Sequence, residues 1–300
     1  MMKESFSGVY AALLTPFDER GRISEKKLRG LIRFEIGKGL NGLYICGSTG
    51  EGINMNVDER KEVAEIVTEE ARGKVKVIVH VGGSTNTANA MELVKHASKL
   101  KLDAVASIPP IYYPFRFADI FNYYQALAEA SDLPLFIYYI PQLTGGALSN
   151  DKLVELGKIQ NIIGIKYTAH DFFTLQDLLL KMDNRWIAFS GPDEMFLPAL
   201  TMGVVGSIGS TQNVIPELFL EIYKSFHGGD MHRAMQCQQL VTRAVSLLIQ
   251  YGGIAAWKTA LSFRGIDAGL CKPPLRIALP DQDKATMKKQ WLKLFPEHVK

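Results

Sequence analysis

Cysteine is scarce, with only Cys46, Cys237 and Cys271 in 300 residues and all three far apart. That excludes the disulfide framework of a secreted scaffold and reads as reduced thiols in a cytoplasmic protein. An excess of one charge is missing too: Lys and Arg number 34 against 31 Asp and Glu, a formal +3. So small and dispersed an excess argues against nucleic acid or an anionic membrane surface as partner. No apolar run approaches the ~20 residues that a helix needs to cross a bilayer. Lys3 precedes the apolar stretch 9–14 much as a signal peptide would begin. That stretch runs into Thr15-Pro16-Phe17-Asp18 instead of a small-residue cleavage site, so it reads as a buried strand ending in a turn. The six histidines, His80, His96, His170, His227, His232 and His298, show no metal-ligand spacing, and no metal site is expected.

What the chain does have is apolar material, 47% against 22% charged residues, enough for a large core. Short runs rich in β-branched or aromatic residues occur at 9–14, 42–46, 75–81, 104–108, 135–140, 162–167, 186–189 and 204–208. Amphipathic segments lie between them, among them 58–72, 87–100, 118–130 and 216–226. In the first of these, Val63, Ile66 and Val67 share a face opposite Asp58, Glu65 and Glu69. Strand starts recur at the length of one βαβ unit, and eight such units suit a parallel sheet closed on itself. The expected fold is therefore α/β, a (β/α)8 TIM barrel over 1–228. Residues 229–300 show helical pattern only and are expected to pack on the barrel as a C-terminal extension of one structural unit. An open doubly wound sheet is the alternative, but no Gly-x-Gly-x-x-Gly follows the first strand.

In such a barrel, catalytic groups belong at the C-terminal ends of the strands and in the loops that follow. The sharpest oddity there is Lys166, near the end of the run 162–167, where alternation puts it on one face with Gly164 and Thr168. Desolvation favours the neutral amine, and a neutral lysine in a dry pocket is the nucleophile that forms a Schiff base with a ketone. The bland alternative is a strand-end lysine reaching to solvent. Tyr138 ends a neighbouring run, and a phenol beside a cationic iminium can relay protons; the bland alternative is an ordinary strand aromatic. Tyr138 and Tyr139 must face opposite ways, so only one can enter the barrel. Gly47-Ser48-Thr49-Gly50-Glu51-Gly52 lacks the Gly-Lys-Ser/Thr ending of an ATP-binding loop; its hydroxyls and amides suit a smaller anion such as a carboxylate. The loops carrying Asp193, Glu194 and Ser210 could hydrogen-bond a polyol, although acidic residues at a helix start often serve only as caps. Cys46 has no evident histidine partner and reads as a small core residue.

Taken together, Gly47-Ser48-Thr49-Gly50-Glu51, Tyr138 before Ile140-Pro141, and Gly164-Ile165-Lys166 resemble the N-acetylneuraminate lyase / dihydrodipicolinate synthase superfamily of class I pyruvate aldolases. The resemblance runs from Gly8-Val9 to Lys272-Pro273, and as a set the motifs are specific. It implies a (β/α)8 barrel assembled as a homotetramer, with Lys166 forming a Schiff base to pyruvate or a 2-oxo acid and no metal or organic cofactor. Two positions favour the lyase branch over the synthase branch. The synthase tyrosine motif continues into an arginine that binds a carboxylate, and here Leu143 takes that place. The lyase branch holds sugar hydroxyls with an Asp-Glu pair and a following serine, matched here by Asp193, Glu194 and Ser210, with Thr168 after the lysine. By the same match Ser48 and Thr49 bind the substrate carboxylate, Gly191 and Gly209 line the pocket, and Tyr112 joins the proton relay across a subunit boundary. The implied reaction is cleavage of N-acetylneuraminate to N-acetylmannosamine and pyruvate. Another pyruvate-dependent aldolase, for a 2-keto-3-deoxy sugar acid or for the dihydrodipicolinate precursor, and a non-catalytic sugar-acid sensor are the alternatives. Pro192, Gln142 and Tyr139 depart from the commonest residues of the lyase branch, and Pro192 offers no backbone N–H to a substrate.

Overall fold

A computed structural model describes residues 2–84 and 86–298. Eight strands, β1 (Gly8–Ala12), β2 (Gly42–Ile45), β3 (Lys76–His80), β4 (Ala104–Ser107), β5 (Leu135–Tyr139), β6 (Ile162–Tyr167), β7 (Ile187–Ser190) and β8 (Gly206–Gly209), pair in parallel, each with the next. β8 returns to β1 in the register Gly8↔Gly206 and closes the ring. Parallel neighbours need a crossover, and a helix supplies each one. These are α2 (Glu25–Gly37), α3 (Val57–Ala71), α4 (Thr87–Leu100), α5 (Phe117–Glu129), α6 (Asn150–Leu156), α7 (Phe172–Lys181) and α8 (Phe196–Thr201), with α9 (Pro216–His227) following β8. A short helix α1 (Met2–Phe6) precedes β1, and α10 (Met231–Tyr251), α11 (Ile254–Phe263) and α12 (Asp281–Leu294) follow the barrel. The fold is a TIM barrel with a helical C-terminus.

Local sequence explains the element ends. α3 starts at a reciprocal capping box, in which the Asn56 side chain accepts from the Glu59 N–H and Glu59 accepts from the Asn56 N–H. α9 starts on Pro216, whose missing N–H would have had no helical partner. The strands fall within two residues of their expected places. The largest offsets are the end of β1 at Ala12 and the start of β8 at Gly206; β8 begins there because Gly206 and Ser207, not the more apolar Val204, carry the ladder to β1.

Strand alternation sorts the apolar side chains into two layers. Val9, Ala11, Leu43, Ile45, Val77, Val79, Ile137 and Tyr139 face the helices. Tyr10, Ala12, Tyr44, Ile78, Phe136, Tyr138 and Phe189 fill the barrel interior. Edge-on aromatic contacts close the N-terminal end of that interior, with Phe6 to Phe136 at 5.5 Å, Phe136 to Phe189 at 5.7 Å and Phe189 to Tyr10 at 5.1 Å between ring centroids. Burial of each such side chain contributes roughly 1.5–3 kcal/mol. The interior is thus a packed floor, and only its C-terminal end is left for chemistry. A cavity of about 710 Å³ does open at the opposite face, bordered by Arg72, Lys99 and Lys101. These cations sit at the C-terminal ends of α3 and α4, where the helix dipole favours positive charge.

The C-terminal helices reach back to the loops at the barrel mouth. Gln238 of α10 accepts from the Leu197 N–H at 2.8 Å and donates to the Asp193 carbonyl at 3.3 Å. Trp257 of α11 donates to Thr211 Oγ1 at 3.0 Å. Lys258, buried, donates to Glu51 Oε1, Thr15 O and Leu270 O, each at 2.6 Å. Glu51 Oε2 accepts from the Lys272 N–H at 2.7 Å. The loops after β1, β2, β7 and β8 are therefore fixed by the helices that follow the barrel. No helix among the described residues is long and apolar enough to cross a membrane.

Candidate active site

β6 carries Lys166 into the barrel, where its side chain is buried (4% exposed). Among the described residues no carboxylate forms an ion pair with it. Its Nζ lies instead 4.0 Å from the centroid of the Tyr138 ring and 4.6 Å from that of Tyr44. The ring faces attract the ammonium by cation–π interaction. Unlike a carboxylate, they leave the nitrogen free to act as a nucleophile once neutral. The bland alternative, a lysine extending into water, does not hold. β5 lies beside β6 in the register Tyr138↔Lys166, which sets the phenol next to the amine. Tyr139 takes the outer face and stacks on Tyr167, with centroids 5.1 Å apart.

The loops above this pair join in sequence around the mouth. Ser48 Oγ, after β2, lies 3.4 Å from the Tyr138 hydroxyl. Thr49 Oγ1 lies 2.6 Å from Ser210 Oγ, after β8. The Thr211 N–H donates to Asp193 Oδ2, after β7, at 2.8 Å. The next residue, Glu194, accepts from His170 Nε2, after β6, at 2.8 Å. These four contacts thus tie the loops after β2, β6, β7 and β8, together with Tyr138 of β5, to one another around Lys166.

Of the residues expected from sequence, Lys166, Tyr138, Ser48, Thr49, Thr168, Gly191, Asp193, Glu194, Gly209 and Ser210 all lie at this end of the barrel. Gly191 and Gly209 are required by close approach: a Cβ on Gly191 would stand 1.9 Å from Thr168 Oγ1, and one on Gly209 would stand 1.7 Å from Asp193 Oδ1. Thr168 Oγ1 is shielded from solvent and has no hydrogen-bond partner, so it keeps its full capacity for a ligand. Asp193 is buried with both oxygens occupied, Oδ2 by Thr211 and Oδ1 by the Gln212 amide at 2.8 Å. It fixes the loop, whereas Glu194 keeps one oxygen unbonded. Tyr112 is not brought to the cluster within one chain. It is 85% exposed with φ +84°, and its ring lies edge-on to the neighbouring Tyr113. Leu143 is exposed on the loop after β5 and adds no charge there.

Sequence reasoning missed Tyr44, His80 and His170. Tyr44 lies edge-on to Tyr138, with centroids 5.8 Å apart and its hydroxyl unpartnered; burial pushes that phenol's pKa well up. His80, edge-on to Tyr138 at 5.6 Å, lies 3.1 Å from the Cys46 carbonyl through Nδ1, and its Nε2 accepts from the Ile108 N–H at 3.3 Å. Those partners require the Nδ1–H tautomer, and burial holds the imidazole pKa well below its usual value, so the ring is a neutral wall. The alternation of β2 and β3 places both residues inside, and that alternation is the signal in the sequence that points to them. Cys46 is buried and its thiol is pushed up to about 11 by burial, as suits a core residue. No group of three or more His, Cys, Asp or Glu among the described residues could hold a metal ion.

Burial pushes the Asp193 carboxyl up to about 6, against the pull of its hydrogen bond from Thr211. The folded state therefore binds this proton more tightly than the unfolded chain. Stability from this group is complete below about pH 4 and is lost as pH rises to about 6, on the order of 2–3 kcal/mol. We expect Asp193→Asn, which cannot titrate, to flatten the pH dependence of the melting temperature over that window. Thermal denaturation of both proteins across pH 4–7 checks this.

The dihydrodipicolinate synthetase family matches residues 5–293 of the chain. The chain is 40% identical over 272 residues to a protein of Clostridium perfringens named N-acetylneuraminate lyase, covering 90% of this chain and 94% of that one. Its backbone is similar to a Clostridium difficile protein solved in complex with mannosamine (TM-score 0.92, 37% identity, 97% of this chain and 99% of that one). It is equally similar to a catalytic lysine mutant of a Ruminococcus gnavus sialic acid aldolase (TM-score 0.93, 33% identity, 98% and 97% covered).

Proposed function

Because the chain belongs to the dihydrodipicolinate synthetase family, we propose that it is a class I aldolase that cleaves N-acetylneuraminate to N-acetylmannosamine and pyruvate. One observation carries this reading: a buried lysine amine, with no carboxylate partner among the described residues, lying on a tyrosine ring at the mouth of the barrel. Ser48 and Thr49 bind the carboxylate of the open-chain 2-oxo acid. Lys166 attacks the C2 ketone, water leaves, and the iminium accepts the electron pair of the C3–C4 bond as that bond breaks. Tyr138 takes the proton from the C4 hydroxyl. N-Acetylmannosamine departs, the enamine is protonated at C3, and water releases pyruvate and restores the amine. Thr168, Glu194 and Ser210 hold the hydroxylated tail, while Gly191 and Gly209 make room for it. Binding at the tail then orients the reacting carbons. No metal or organic cofactor is needed in this scheme, since the lysine supplies the electrophile. The enzyme acts in the cytoplasm, which its three buried free thiols fit, and as a homotetramer in which Tyr112 of one subunit completes the relay of another.

Leu143 favours this reading over the synthase reaction, because a hydrocarbon side chain cannot pair with an aldehyde substrate's carboxylate. Initial rates with N-acetylneuraminate and with a panel of 2-keto-3-deoxy acids test the proposal. We expect the highest kcat/KM with N-acetylneuraminate; a strong preference for a short, unacetylated acid would assign the chain to another aldolase.

A further inference from the structure

We infer that His170 is a positioning residue for Glu194, and through it sets the preference for long hydroxylated sugar acids; this rests on the reading above. Asp193 and Glu194 are adjacent but are held very differently. The first is buried with both carboxylate oxygens bonded to the protein. The second is 31% exposed at the side chain, and its one partner among the described residues is His170 Nε2, 2.8 Å from Oε1. A carboxylate only accepts, so Nε2 carries the proton and donates. Oε2 is left open to a ligand hydroxyl.

The backbone that carries the donor is anchored, while the His170 side chain itself is 55% exposed. The Thr168 N–H donates to the Tyr139 carbonyl at 2.8 Å, and the Tyr167 hydroxyl donates to the Asp171 carbonyl at 2.7 Å. Asp171 in turn caps α7 by accepting from the Thr174 N–H at 3.0 Å. His170 is thus held between anchored residues on both sides. Removing its ring frees the Glu194 carboxylate to sample other rotamers, and ordering it again on binding costs affinity for whatever Glu194 holds. Lys166 and Tyr138 are untouched by such a change, so the chemical step should proceed as before.

The experiment compares wild type, His170→Ala and His170→Gln, the last of which can place an amide N–H near the position of Nε2. KM and kcat are measured for N-acetylneuraminate and for a shorter 2-keto-3-deoxy acid that lacks the tail. For His170→Ala we expect KM for N-acetylneuraminate to rise about three- to tenfold with kcat within about twofold. KM for the short acid should not change, and His170→Gln should recover most of the loss. An unchanged KM for N-acetylneuraminate would overturn the inference, and so would an equal rise for both acids, which a merely structural role would produce. Failure of the wild-type enzyme to cleave N-acetylneuraminate would instead overturn the functional reading itself.

Discussion

Lys166→Met is expected to lower kcat by on the order of 10⁴-fold or more while leaving the protein folded. Methionine fills a similar volume against the Tyr138 and Tyr44 rings, so neither a cavity nor a clash is introduced. What disappears is the atom that forms the covalent bond, and among the described residues no other lysine is buried beside Tyr138 to replace it. The amine is 4% exposed and has no carboxylate partner among the described residues, so its removal should not destabilise the barrel. Melting temperature unchanged or raised, with turnover lost, is therefore the expected pair of results. A variant that melts much earlier would show that Lys166 holds the barrel together. Tyr138→Phe gives the graded counterpart. The ring that faces the ammonium remains and only the hydroxyl goes, so a fall of about 10²–10³-fold is expected, the range of a lost general acid–base.

Lys258→Met should produce the largest loss of stability, about 3–5 kcal/mol. Lys258 and Glu51 form an ion pair with side chains 4% and 0% exposed, and breaking it leaves a buried carboxylate uncompensated. The same substitution leaves the carbonyls of Thr15 and Leu270 without their donor. Glu51 stands at φ +59°, in the left-handed region uncommon for a residue with a side chain, so the pair also holds a strained loop end. That loop carries Ser48 and Thr49, and activity should fall along with stability. The double variant Glu51→Leu/Lys258→Met removes both charges and should recover part of the lost stability, since two apolar groups do not leave a charge behind. Chemical denaturation of the three proteins checks the order wild type, double variant, single variant.

The barrel was legible in the sequence because buried parallel strands read as apolar runs and turn residues separate them. Lys166 and Tyr138 were legible for a related reason: a cation and a phenol near the ends of such runs break a pattern that is otherwise hydrophobic. Gly191 and Gly209 came from the resemblance, and the steric need for them appears only when Thr168 and Asp193 are set beside them in space. Asp193 and Glu194 look equivalent as neighbours in the chain. Their different duties follow from contacts with Thr211 and Gln212 on one side and His170 on the other. The pair Lys258 and Glu51 is separated by more than two hundred residues, so no local pattern announces it. His80 is inward by alternation alone, but its protonation state depends on the carbonyl and amide that meet its two nitrogens.

The most direct test is borohydride reduction of the wild-type protein with pyruvate present, followed by mass spectrometry of the digested chain. One reduced pyruvyl group on the peptide containing Lys166, and no such adduct in Lys166→Met, is the expected result. An unmodified Lys166 peptide, or the adduct on another lysine, would contradict an account that begins with this amine as the nucleophile.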